Sequence, residues 1–103
     1  MGKMADFIIK NLKENIVSIA RRIGYLNLDT MSSNEFSMVR KLTGNNYPRF
    51  HIYVKQQGDH FNFNLHLDQK QPSYKGTHAH NGEYEGPVIE NEVDRICELL
   101  KQV

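Results

Sequence analysis

Cysteine is nearly absent from this chain, and its single cysteine, Cys97, excludes an internal disulfide framework. A chain without disulfides fits a reducing compartment, so we expect the protein in the cytoplasm. No apolar run approaches the length of a membrane-spanning helix, which excludes a bilayer segment. An excess of one charge is lacking as well. The formal net charge of +1 gives no overall attraction to nucleic acid or to anionic lipid.

The composition that remains is sufficient for one hydrophobic core. The chain has 103 residues, of which 39% are hydrophobic and 24% are charged. A chain of this size can bury a single core but has no room for a second domain. We therefore predict one domain over residues 1–103.

Both ends of the chain show the three- and four-residue spacing of amphipathic helices. The spacing predicts a first helix over residues 4–23, which Gly24 ends, and a second over residues 87–102, which Pro87 begins. Between the first helix and the strands, residues 25–34 are expected to form a loop whose Tyr25, Leu26 and Leu28 pack under the helix end. The two apolar stripes are Ala5, Ile8, Ile9, Leu12, Ile16, Ile19, Ala20 and Ile23, and then Ile89, Val93, Ile96, Leu100 and Val103.

Three strands are expected between the helices. Residues 50–54 and 61–68 alternate strictly between apolar and polar side chains, the pattern of half-buried strands, and Gly58-Asp59 is a tight-turn dipeptide between them. Counting outward from this turn pairs His51 with His66 on one face and Ile52 with Leu65 on the other. A further strand is expected over residues 35–42, although Arg40 shares the parity of its apolar residues and a buried face disfavours such a charge.

This order of elements predicts an α+β fold: a helix, a three-stranded antiparallel sheet, a long loop and a helix, with both helices on one face of the sheet. The other face is then open and polar. It would display Arg49, His51, Tyr53, Lys55, Asn62, Asn64, His66 and Asp68, and the glycine-rich loop over residues 69–86 would leave from its edge. Loops of that length are disproportionately functional or disordered.

A metal site is the sharpest hypothesis for this loop. His78 and His80 supply two imidazoles, Glu83 or Glu85 adds a carboxylate, and His66 and Asp68 end the neighbouring strand on one face. Nitrogen and oxygen ligands of this kind suit zinc, iron, manganese or nickel, and the same cluster would also serve as an anion site. The alternative is that the loop histidines are solvated residues without a ligand.

A metal-free enzyme is a second hypothesis. His51 facing His66 would supply an acid and a base near neutral pH, and Arg49 beside Asp68 would supply an anion-holding cation. The candidate catalytic residues are His51, His66 and Glu83. No nucleophile motif accompanies them.

Binding without chemistry is a third hypothesis. The open face would receive a small ligand, a protein partner or a second copy of the chain. Nucleic acid is a weaker expectation, because the balanced charge and the acidic start of the second helix oppose binding to phosphate.

The segments His-Leu-Asp-Gln-Lys-Gln-Pro-Ser-Tyr from residue 66, His-Ala-His-Asn-Gly-Glu-Tyr from residue 78, and Glu-x-x-Arg-Ile from residue 92 resemble a group of small uncharacterised prokaryotic proteins. The resemblance covers about the C-terminal third of the chain. It implies no activity and assigns no role to any residue.

Overall fold

The structure is a computed structural model that describes residues 4–69 and 87–101. Five strands and two helices are described in the chain order β1, α1, β2, β3, β4, β5, α2. Their bounds are Met4–Ile9 for β1, Ile16–Ile23 for α1, Leu26–Ser32 for β2, Glu35–Lys41 for β3, Arg49–Gln57 for β4, His60–Asp68 for β5 and Pro87–Leu100 for α2. The strands form one antiparallel sheet in the order β1-β5-β4-β3-β2.

The central hairpin has the register that the sequence predicts. His51 pairs with His66 and Ile52 pairs with Leu65, while Gln57 and His60 close the hairpin. Gly58 lies in the turn with φ 65°, a left-handed conformation that glycine adopts without steric cost. The register is fixed because a shift by one residue would expose every apolar side chain of the hairpin.

The prediction of a three-stranded sheet is wrong, since the sheet has five strands. Residues 4–9, expected in the first helix, form the edge strand β1, which pairs with β5. Along β1, Ala5, Phe7 and Ile9 turn toward the core, whereas Ile8, expected in the core, is 54% exposed on the other face. This two-residue alternation fits a strand, and β5 provides the partner that makes it one.

The first helix is correspondingly short, from Ile16 to Ile23. Asn15 is its N-cap, and the Oδ1 atom of Asn15 accepts a hydrogen bond from the backbone nitrogen of Ser18 at 2.8 Å. Asn11 has φ 58°, so the chain leaves β1 in a conformation that a continuous helix does not contain. Gly24 ends the helix in the left-handed region, as the sequence predicts.

The expected loop over residues 25–34 is also wrong, because Leu26–Ser32 forms the second edge strand, β2. Its pairing with β3 is interrupted between Leu26 and Asp29, where Asn27 has φ 57°. This irregularity removes the alternation by which a strand is recognised. Tyr25 is buried as expected, but Leu26 is 70% exposed.

One hydrophobic core joins both helices to the inward face of the sheet. The inward side chains of β3, β4 and β5 meet the apolar sides of α1 and α2, so the helices lie on the same face. The buried members are Leu12, Ile16, Ile19, Ala20, Ile23, Tyr25, Phe36, Met38, Phe50, Ile52, Val54, Phe61, Phe63, Leu65, Leu67, Ile89, Ile96 and Leu100.

A buried carboxylate explains why Arg40 lies on the inward face of β3 with the apolar residues of that strand. Glu92 of α2 is only 4% exposed, and its Oε1 atom lies 3.2 Å from Nη1 of Arg40. The Oε2 atom accepts a hydrogen bond from the hydroxyl of Tyr25 at 2.6 Å and another from Nη2 of Arg95 at 2.8 Å. Arg95 also donates to the carbonyl oxygen of Ile23, at the end of α1, at 2.6 Å. The network therefore connects α2 to β3 and to the segment between α1 and β2.

Candidate functional site

The open face of the sheet is the candidate functional site. We use this name for the face opposite the helices. The predicted residues of β4 and β5 lie there. The face continues over β1 on one side and over β3 and β2 on the other. Across the sheet, the cross-strand partners form rows: Met4, His66, His51, Val39 and Leu26 in one, Asp6, Asn64, Tyr53, Ser37 and Asp29 in the next, and Ile8, Asn62, Lys55 and Glu35 in a third.

One end of this face carries an acid and base cluster. His51 and His66 are direct cross-strand partners. The Nδ1 atom of His51 lies 3.6 Å from Oδ2 of Asp68, and Nε of Arg49 lies 3.4 Å from the same oxygen. The His51 side chain is 19% exposed and that of Asp68 is 34% exposed, so solvent still reaches the carboxylate.

Partial burial lowers the pKa of His51 below its ordinary value of 6.5, because the charged imidazolium loses hydration. The neighbouring positive charge of Arg49 and the imidazole of His66 lower this pKa further, whereas the carboxylate of Asp68 opposes the shift. His51 is therefore biased toward its neutral form. In that form it can accept a proton or donate a hydrogen bond.

Aromatic contacts connect this cluster to the centre of the face. The ring centroids of His51 and Tyr53 are 4.4 Å apart, and those of Tyr53 and His66 are 5.5 Å apart in an edge-to-face arrangement. Nε2 of His66 forms a hydrogen bond with Oδ1 of Asn64. Tyr53 nevertheless remains 40% exposed, so an aromatic surface is available at the middle of the sheet.

The residues of the metal hypothesis are only partly placed. His66 and Asp68 lie on the same face at the end of β5, as predicted, but His78, His80 and Glu83 fall outside the described residues. Within residues 4–69 and 87–101, no three His, Cys, Asp or Glu side chains converge as metal ligands. The carboxylate of Asp68 already contacts Arg49 and His51.

The metal-free hypothesis has a favourable pair of groups. His51 and His66 would serve as base and acid, with Asp68 orienting His51. Glu83, the third candidate catalytic residue, lies outside the described range. Cys97, the one candidate thiol, is partly buried on α2, and burial raises its pKa, which disfavours the reactive thiolate.

An apolar groove on the open face was not predicted from the sequence. Its volume is about 660 Å³, and Ile8 of β1 and Met31 of β2 lie along it with Tyr53 between them. Ile8 and Met31 are 54% and 56% exposed. Met4 and Leu26, which are also exposed, flank it in the row of the histidines.

The sequence carries no clear signal for the groove, because residues 4–9 are apolar except for Asp6 and the alternation of exposure along β1 is seen only in the structure. Met4, Asp6 and Ile8 share one parity, and Ala5, Phe7 and Ile9 share the other. Reading this segment as a strand would have placed Ile8 on the open face. The exposure of Met31 on the open face could not be predicted either, because the pairing of β2 is irregular and its side chains do not follow a simple alternation.

Comparisons with protein-family models, curated proteins and solved structures find no match to this chain. The resemblance of its C-terminal third to small prokaryotic proteins stays a prediction. Among the described residues, neither helix has the length and apolar character needed to cross a membrane.

Proposed function

We propose that this protein is a binding module that holds a protein partner on the open face of its sheet. The observation that carries this proposal is the concentration of exposed apolar side chains on that face: Met4, Ile8, Leu26, Met31 and Tyr53 are each at least 40% exposed. Several exposed apolar side chains on one face of a small domain favour an interaction site, because water is unfavourable there and a partner's apolar side chains displace it.

The charged groups on the open face favour a protein partner over a nucleic acid. The cations Lys41, Arg49 and Lys55 are offset by the carboxylates Asp6, Asp29, Glu35 and Asp68 on the same face. A phosphate backbone needs an excess of positive charge. A face with a central tyrosine, apolar side chains toward both edges and polar groups of both signs is compatible with a protein interface.

Selection of displayed random peptides tests this function. Peptides enriched on the wild-type protein should lose binding to the variant that combines Ile8→Ser with Met31→Ser. Val17→Ser is the matched control, because Val17 is 50% exposed but lies on α1, outside the open face. An absence of peptides whose binding depends on Ile8 and Met31 would contradict the proposal.

A metal or anion site is the second candidate function. It is favoured by the placement of His51, His66 and Asp68 at one end of the open face. His78, His80 and Glu83 would complete the ligand set for zinc, iron, manganese or nickel.

Titration with zinc, nickel and manganese tests this candidate. Binding should be saturable and should be lost in His66→Ala and in His80→Ala. His60→Ala is the control, since His60 is the first residue of β5, at the opposite end of the strand from His66 and Asp68. Equal effects of the His60 and His80 substitutions would remove the metal site.

We also propose that the protein is located in the cytoplasm. This location is supported by Cys97, which is the chain's single cysteine and is a free thiol.

A further inference from the structure

The groove crosses the strands rather than following one of them. It runs from Ile8 on the edge strand β1 to Met31 on the opposite edge strand β2, past Tyr53 on the central strand β4. Four inter-strand spacings separate the two edges, which corresponds to about 19 Å. An occupant must therefore be about that long and must present apolar side chains to Ile8, Tyr53 and Met31.

The floor of the groove has little backbone hydrogen-bonding capacity to offer an occupant. The strands β5, β4 and β3 beneath it are each paired on both sides, so their backbone groups are engaged within the sheet. An extended peptide lying there could pair its backbone N–H and C=O groups only with side chains of the floor, such as Asn62, Asn64 and Lys55, and would leave the others unpaired, which is costly. A helix satisfies its backbone internally, and about 13 residues of helix span the groove.

The charges beside the groove select the polar side of such a helix. Asp6 lies at the β1 end and Glu35 near the β2 end, with Lys55 between them. Within the part of the chain that the structure describes, neither carboxylate forms an ion pair. Asp6 instead accepts a hydrogen bond from Asn64, and Glu35 accepts one from Ser32 at 3.2 Å. Cations near both ends of the helix would pair with these carboxylates.

We propose that the partner is an amphipathic helix of another protein, with a leucine-like apolar stripe against Ile8, Tyr53 and Met31 and with basic residues facing Asp6 and Glu35. This inference rests on the proposed function, because it names the partner of the same face. The match is between the apolar groove and the stripe, and between carboxylates and cations of opposite charge.

Two synthetic helical peptides of about 14 residues provide the probe. They share the same leucine positions. At all the remaining positions, one peptide has lysine and the other has glutamate. Fluorescence anisotropy should show that the lysine peptide binds wild-type protein more tightly than the glutamate peptide. Removing both carboxylates with Asp6→Asn and Glu35→Gln should weaken the lysine peptide by roughly fivefold to tenfold, because each surface ion pair contributes a factor of several.

Matched controls separate charge from fold and from the groove itself. Glu90→Gln with Asp94→Asn also removes one glutamate and one aspartate, but from the exposed side of α2. This variant should leave the affinity for the lysine peptide unchanged. Ile8→Ser with Met31→Ser should abolish binding of both peptides.

Three outcomes would overturn the helix proposal. Equal binding of both peptides, lost in the Ile8 and Met31 variant, would refute the basic helix while leaving the binding module intact. Self-association of wild-type protein that depends on Ile8, measured by sedimentation, would assign the face to a second copy instead. Binding of the lysine peptide that is unaffected by the Ile8 and Met31 substitutions would refute the basic helix on this face. The selection of displayed peptides would then show whether the open face binds proteins at all.

Discussion

Substituting Glu92 with alanine should destabilise the fold by about 3 kcal/mol. The substitution leaves the hydroxyl of Tyr25 without an acceptor in a side chain that is 2% exposed, and such an unsatisfied buried group costs about 1–3 kcal/mol. Arg40 and Arg95 also lose their carboxylate, but each side chain is 32% exposed. Water therefore replaces much of that interaction, and we expect about 0.2–1 kcal/mol for each arginine.

Urea denaturation followed by circular dichroism measures the loss. Glu98→Ala is the matched control on the same helix, since the Glu98 side chain is 74% exposed, and it should change stability by less than about 0.5 kcal/mol. Tyr25→Phe removes only the hydroxyl and should cost about 1 kcal/mol. Combining it with Glu92→Ala should cost less than the sum, because the two groups share one hydrogen bond. A loss below about 1 kcal/mol for Glu92→Ala would refute this account of the network.

Further predictions concern the core and the histidine cluster. Leu65→Ala and Ile96→Ala remove side chains that are 0% exposed, and each should cost about 2–5 kcal/mol in urea denaturation, whereas Val17→Ala should cost little. The pKa of His51 is lower in the folded protein than its ordinary value of 6.5, so its contribution to stability is present above that pH and is lost as the pH falls through the lowered pKa. His51→Gln should therefore flatten the acid decline in stability, and an unchanged decline would count against the burial of this imidazole.

The parts of the fold that the sequence predicts correctly are those fixed by local pattern. The β4–β5 hairpin has a turn dipeptide between two alternating strands, and together they allow one register, which places His51 opposite His66. The second helix begins at Pro87 as predicted and ends at Leu100, two residues before the predicted end. In both cases the decisive residues lie within a short stretch of the chain.

The errors arise where a distant partner decides the structure. Ile8, Ile9 and Leu12 fit a helical stripe, and the alternation that makes residues 4–9 a strand becomes decisive only through pairing with β5, more than fifty residues away. Arg40 looked unsuited to a strand because its counterion, Glu92, belongs to α2. No local pattern contains either partner, so neither the five-stranded sheet nor the ion pair of Arg40 with Glu92 could be predicted from spacing.

The same misassignment hid the most informative part of the site. With residues 4–9 in a helix and residues 25–34 in a loop, the open face consists of polar residues and two histidines, and the histidines become the natural focus. With β1 and β2 in place, the face gains Ile8 and Met31, and the groove between them becomes the larger feature. The predicted pairing of His51 with His66 is confirmed, but it describes only one end of the surface.

The division of roles between the two faces follows from burial. The inward face holds the core and the Glu92 network, so substitutions there act on folding. Ile8 and Met31 remain more than half exposed, so they gain little hydrophobic free energy from folding and leave apolar surface in water. A partner that covers the groove would recover that free energy. Polar substitutions at Ile8 and Met31 should therefore separate binding from stability, which substitutions in the core cannot do.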